Sequence, residues 1–273
     1  MSYRTEPRRG WKTRWWLGAW ALVVALCAAA TASAAPESRS GVEVVLDPGH
    51  GGSNTGSPGR GEVLEKRVTL ALAKAVRRRL EAAGVTVQLT RTRDVYVPIR
   101  ARARVANAVM PRCFVSIHTN ASLDHARRGV ETYLLSRDAI DIRARRAAGG
   151  ASDDASGVLA DLRALGNARA SLRLAELVQQ HLLGGGVSMI DGSSYLAVDR
   201  GVRQAAHDVL ADAEVPAILV EVGFLDHPVE GRLLASAEGQ AAVADRLAAA
   251  LVAFVRASDG REPRVSPPLA TSR

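Results

Sequence analysis

The 273-residue chain is predicted to form one α/β domain, a mostly parallel or mixed twisted sheet of about five to six strands flanked by helices. Three observations predict it. Short apolar runs rich in β-branched residues alternate with segments of helical period. Gly and Pro punctuate nearly every junction. Hydrophobic residues make up 47% of the chain, enough for a sizeable core at this length. This composition excludes a wholly disordered chain, a collagen-like repeat and a polytopic membrane protein.

The elements follow in order. Val42–Asp47 is a strand entering the Gly-rich loop Pro48-Gly49-His50-Gly51-Gly52. Leu64, Val68, Leu72, Ala75, Val76 and Leu80 recur at helical spacing, and Gly84 ends that helix. Val85–Leu89 is a second strand, and Val97–Val109 a helix opened by Pro98. Cys113–His118 and Val130–Leu135 are further strands. A helix over Ser171–Leu183 stops at three glycines, and a further helix is predicted over Gly201–Ala211. Ala217–Phe224 is an apolar strand except for Glu221, and Pro228–Arg256 is mostly helical. Residues 137–170, rich in Arg, Ala, Asp and Gly, read as a surface insertion with one short helix near Gly157–Leu165.

The ends have a different character. Residues 1–34 carry five basic side chains before an apolar run from Trp15 to Ala30 and the small-residue site Ala32-Ser33-Ala34. That order predicts a secretory signal peptide, removed after Ala34. Residues 35–40 are a short linker, 41–257 the catalytic domain and 258–273 a polar, proline-bearing disordered tail. The protein is therefore expected to be exported, to the periplasm or to the cell wall and extracellular space, with no integral membrane domain after signal removal. Removing five basic residues and one acid takes the balance from 36 against 28 to 31 against 27, a net +4. Cys27 leaves with the signal, so Cys113 has no internal disulfide partner and reads as a buried hydrophobe. The runs Arg77-Arg78-Arg79 and Arg143, Arg145, Arg146 are expected on solvated faces, and no nucleic-acid-binding motif accompanies them.

Four polar residues sit where strands or helices begin or end. His50 follows the first strand, His118 ends the third, Glu221 interrupts the last and Glu65 opens the first long helix. In open α/β sheets functional groups gather at the carboxyl ends of strands. Parallel strands would carry His50, His118 and Glu221 to one edge. Two imidazoles and one carboxylate make a catalytic zinc set with a fourth position left for water. A second carboxylate, Glu221, could take that water's proton and pass it to a leaving amine. Spacing alone leaves Glu62 open as an alternative to Glu65.

Five segments then carry a resemblance. Val44-Val45-Leu46-Asp47-Pro48-Gly49-His50-Gly51-Gly52, Glu65-Lys66-Arg67-Val68, Leu89-Thr90-Arg91-Thr92-Arg93-Asp94, Ser116-Ile117-His118-Thr119-Asn120-Ala121 and Leu219-Val220-Glu221-Val222-Gly223-Phe224-Leu225 resemble, in that order, the zinc-dependent N-acetylmuramoyl-L-alanine amidases. Arg102, Asn107, Gly201-Val202-Arg203 and Pro216 fit the same pattern. The resemblance implies one Zn²⁺ per chain held by His50, Glu65 and His118, with Glu221 as the catalytic base. It also selects Glu65 over Glu62. The implied reaction is hydrolysis of the peptidoglycan amide between the lactyl group of N-acetylmuramic acid and L-alanine. Some relatives carry an insertion after the fourth strand that folds over the zinc and is displaced by an activator; residues 137–170 occupy that place, which implies a possible activator protein.

The chain departs from the pattern at Asp226-His227, where Ser-Asn is common, and at His207, where an aromatic is common. His227 is expected in the turn before the last helix, His207 and His181 in structural helix positions, and His125 in an exposed loop. Other readings are a metal peptidase acting within the stem peptide and an inactive wall-binding protein that keeps the fold.

Overall fold

The computed structural model describes residues 41–59, 61–136, 139, 155–188 and 194–258. The expected signal, linker, most of residues 137–154 and almost all of the tail lie outside them. All described residues belong to one compact unit, Ser40–Arg273.

Strand β1 (Val44–Pro48) is buried along its whole length, as expected for a strand covered on both faces. Helix α1 (Glu65–Ala82) buries Val68, Leu72, Ala75, Val76 and Leu80 as one stripe. It ends at Gly84, whose φ of 80° suits a residue without a Cβ. Strand β2 (Val87–Leu89) follows, then α2 (Ile99–Val109). Strands β3 (Cys113–Asn120) and β4 (Val130–Leu135) lead into α3 (Ala155–Leu183). A small hairpin, β5 (Val187–Ser188) with β6 (Ser194–Tyr195), precedes β7 (Asp199–Ala205) and the short α4 (Asp208–Ala211). The chain finishes with β8 (Ala217–Phe224), α5 (Glu230–Ala235) and α6 (Ala237–Ser258).

Six strands form a mixed sheet in the order β2-β1-β3-β8-β4-β7. Strands β2, β1, β3 and β8 are parallel; β4 runs antiparallel to β8 and parallel to β7. The single mixed α/β domain is therefore as expected. One face carries Val44, Leu46, Val115, Ile117, Ile218 and Val220 into the larger core, under α1, α3 and α6. The other carries Val45, Phe114, Leu135, Ala217 and Leu219, under the shorter α2 and α4. Cys113 is buried, which pushes its thiol up to about 12. No helix among the described residues is long and apolar enough to cross a membrane.

Two expectations fail. The helix predicted over Gly201–Ala211 is instead strand β7 followed by one helical turn. Pairing with the open side of β4 decides this: an edge strand needs no buried apolar face, so DRGVRQA shows no strand alternation. Gly201, at φ 86°, sits where the register shifts between Val130 and Thr132. The short helix near Gly157–Leu165 and the helix over Ser171–Leu183 are one continuous α3. Gly166 inside it costs roughly 1 kcal/mol relative to Ala. The Leu, Ala and Arg residues around it are strong helix formers, and Asn167 Nδ2 donates to the Glu214 carbonyl.

Leu72 has no exposed surface and lies in the larger core. Leu72→Ala should lower unfolding free energy by about 2–5 kcal/mol, read as an earlier urea midpoint with an unchanged slope.

Candidate active site

The Gly-rich loop after β1 is held from below by two buried arginines. Arg91 Nε donates to the Pro48 carbonyl, and its Nη2 donates to those of Gly49 and Lys66. Arg102 Nη1 pairs with Asp47 Oδ1 at 2.8 Å and donates to the Pro48 carbonyl. Arg102 Nη2 donates to the His50 carbonyl at 2.7 Å. The loop's carbonyls are thus satisfied from inside, which leaves the His50 side chain free to face outward. His50 has a φ of 60°, a conformation that a bonded loop must hold in place for a non-glycine residue.

His50, Glu65 and His118 come together. Glu65 Oε2 lies 3.0 Å from His50 Nε2, and Oε1 lies 3.0 Å from His118 Nδ1. The same carboxylate accepts from the Ser57 and Thr119 backbone amides. The two imidazoles meet edge to face, with centroids 4.8 Å apart. Among the described residues this is the one group of three whose ligand atoms could hold a metal ion; those atoms lie within 4.8 Å of one another. Glu62, by contrast, is exposed and outside the group. Space for the group depends on two glycines. A Cβ on Gly49 would sit 2.4 Å from the His118 ring, and one on Gly56 2.5 Å from Glu65 Oε2.

The chemistry of the group calls for a cation. His50 Nδ1 faces Asn54 Oδ1 at 2.9 Å, and that oxygen only accepts, so Nδ1 carries the proton. The Nε2 of a neutral ring then directs a lone pair at the Glu65 carboxylate, and only a proton or a metal between them resolves this. Burial opposes charge on both groups. Even so, the bond to Glu65 raises His50 above the usual histidine value, and the two imidazoles hold Glu65 far below the usual carboxylate range. A His-Glu-His set fits Zn²⁺ in donor type and number.

Glu221 stands beside His118 on the neighbouring parallel strand, in direct register. The residue as a whole is partly accessible, but its Oε2 is enclosed and has no hydrogen-bond partner. Burial, with Glu65 and Glu131 nearby, pushes its carboxyl well above the usual value. Its ionised form is therefore a stronger proton acceptor than an ordinary carboxylate.

The other histidines have local roles. His227 Nδ1 accepts from the Val229 and Glu230 amides and caps α5, in the expected turn. His181 Nδ1 donates to the Leu177 carbonyl one turn back. His125 is exposed, and its Nδ1 pairs with Asp226 Oδ2 at 2.8 Å. His207 precedes α4 rather than lying inside a helix, and packs edge-on against Tyr133. Asn107 bridges the Asp212 carbonyl and the Glu214 amide.

Sequence reasoning did not single out Asn54, Tyr133, Arg200 or Glu131. Glu131 offered the same signal as Glu221, an acid inside an apolar strand: it is 2% exposed in Val130–Leu135. Its oxygens accept from Tyr133 Oη and Arg200 Nε.

Comparisons with known proteins identify the family. Residues 44–253 match the profile of a family described as N-acetylmuramoyl-L-alanine amidase. The chain is 30% identical over 238 residues to N-acetylmuramoyl-L-alanine amidase AmiA of Escherichia coli K12, covering 80% of this chain and 78% of that one. It is 30% identical over 229 residues to AmiC of Neisseria meningitidis, covering 79% of this chain but only 53% of that one, so it spans about half of that relative's length. Among solved structures, AmiC2 of Nostoc punctiforme superposes with a TM-score of 0.61 at 30% identity, over 79% of this chain and 98% of that one. The match runs from the first strand into the last helix, and the chain belongs to the N-acetylmuramoyl-L-alanine amidase family and is a peptidoglycan amidase.

Proposed function

We propose that this amidase is an exported zinc enzyme that cleaves the amide between the lactyl group of N-acetylmuramic acid and L-alanine. His50, Glu65 and His118 would hold the metal, and Glu221 would carry the proton. The observation supporting this most directly is an enclosed, unpartnered carboxyl beside three converging ligand side chains. When bound, zinc polarises a carbonyl and lowers the pKa of a coordinated water to roughly 7.

The chain's own residues supply the remainder. Asn54 orients His50 through Nδ1 and presents Nε2. The Ser57 and Thr119 amides fix both oxygens of Glu65. Glu221 Oε2 takes a proton from the attacking water and delivers it to the departing alanine nitrogen. The products are a glycan with a free lactyl carboxyl and a peptide with a free amino terminus. Export rests on the signal-like residues 1–34, and the insertion over residues 137–170 is the proposed point of action for an activator.

Mass spectrometry of digested muropeptides tests the bond. Peptides with free N-terminal alanine and lactyl-ended glycans are expected, and a chelator should abolish both; cleavage inside the stem peptide would refute the assignment. Glu221→Ala should remove turnover while one zinc per chain remains bound, and zinc loss in that variant would make Glu221 a ligand instead. Gly49→Ala, by displacing His118, should lose at least tenfold in zinc affinity in a chelator competition. Because His50 is raised, protons should compete for its Nε2 from a higher pH than for an ordinary histidine. Zinc affinity, followed by competition titration, should thus already weaken as pH falls toward the normal histidine range.

A further inference from the structure

Strand register sets three acidic or imidazole side chains in one row across the middle of the sheet. His118 on β3 pairs with Glu221 on β8, and Glu221 is directly opposite Glu131 on the antiparallel β4. Residues in register on neighbouring strands share a face, with Cβ atoms about 4.5–5.5 Å apart across an antiparallel pair. Two carboxyl groups therefore stand side by side at the active site. Like charges placed directly opposite destabilise a sheet. A purely structural design would put a neutral residue at one of the positions.

Glu131 is the fixed member. Oε1 accepts from Arg200 Nε, Oε2 accepts from Tyr133 Oη, and Arg203 Nε lies 3.9 Å from Oε2. Burial favours its neutral form, but Tyr133 and Arg200 hold it below the usual carboxylate range. Burial, with the same contact, pushes the Tyr133 hydroxyl up to about 12, so it remains a donor. Arg200 is itself held over the Phe224 ring, 5.1 Å from the centroid, at the end of β8. Glu221 has no comparable anchor at Oε2. The charged and titratable groups facing it are His118 from β3, Glu65 from α1, Glu131 and Tyr133 from β4, and Arg200 and Arg203 behind them from β7.

We propose that Glu131 is a positioning residue for amide hydrolysis: an anion locked by Arg200 and Tyr133 that keeps the Glu221 carboxyl turned away from β4 and toward the His50–Glu65–His118 group. In the ionised, proton-accepting form of Glu221, repulsion from Glu131 supplies the direction, and the bonds on Glu131 determine which of the two must yield. This rests on Glu221 being the proton carrier. The side-chain partners of Glu131 are Tyr133, Arg200 and Arg203, none of them in the His50–Glu65–His118 group.

The test uses the zinc-loaded full chain acting on purified peptidoglycan. Glu131→Gln keeps shape and one acceptor oxygen but removes the charge. It should lower kcat roughly tenfold, the lower end of what losing an orienting partner costs at a metal site. KM, zinc content and thermal midpoint should stay close to those of the parent. Glu131→Asp, which keeps the charge, should recover most of kcat. Parent-like kcat in the Gln variant would overturn the proposal. So would a joint fall of kcat, zinc content and thermal midpoint in both variants, which would make Glu131 a clasp between β4 and β7. Glu221→Gln is measured alongside. If it stays inactive, the Glu131 result is decided on its own terms, whereas an active Glu221→Gln enzyme overturns the proton-carrier assignment.

Discussion

A single buried carboxylate ties the working parts of this amidase together. Glu65 opens α1, yet its two oxygens reach the loop after β1 through His50 and Ser57 and the end of β3 through His118 and Thr119. An ionised group at 2% exposure survives only with its lone pairs satisfied. The three segments must therefore arrive together. Helix α1 has its apolar stripe locked into the larger core, so the position of Glu65 is set by packing rather than by the site itself.

Behind this carboxylate lies a second layer of charge. Arg91 and Arg102 are buried beneath the Gly-rich loop and spend their donors on its carbonyls. Asp47 also accepts from Ser116 Oγ and Thr90 Oγ1, joining β1 to the middle of β3 and to the residue after β2. The planar, permanently charged guanidinium suits this task, because it offers several fixed donors at once. The loop is rich in glycine, but the arginines hold it in one conformation.

Much of this was legible in the sequence. The strand–loop–helix punctuation and the helical stripe of α1 place His50 and Glu65, and an acid within an apolar strand picks out Glu221. The reading failed where tertiary pairing outweighs local pattern. β7 is an exposed edge strand, so nothing in its polarity distinguishes it from a helix or loop. The sequence does not single out Glu131, because a strand's apolar run carries no direction. Only its antiparallel pairing with β8 brings the beginning of β4, rather than its end, beside Glu221 and His118. The helices expected near Gly157–Leu165 and over Ser171–Leu183 are one, because tertiary contact and good helix formers on either side of Gly166 carry the helix across it.

The two margins of the sheet have a consequence for a protein whose backbone could recruit foreign strands. β2 offers only three residues, and β7 presents Asp199, Arg200, Arg203 and Gln204 with an irregular step at Gly201. Short, charged or kinked borders make poor templates for another chain. The molecule should thus resist stacking into extended β-aggregates even when crowded on an insoluble polymer, and the arginine that clasps Glu131 helps guard one of those borders.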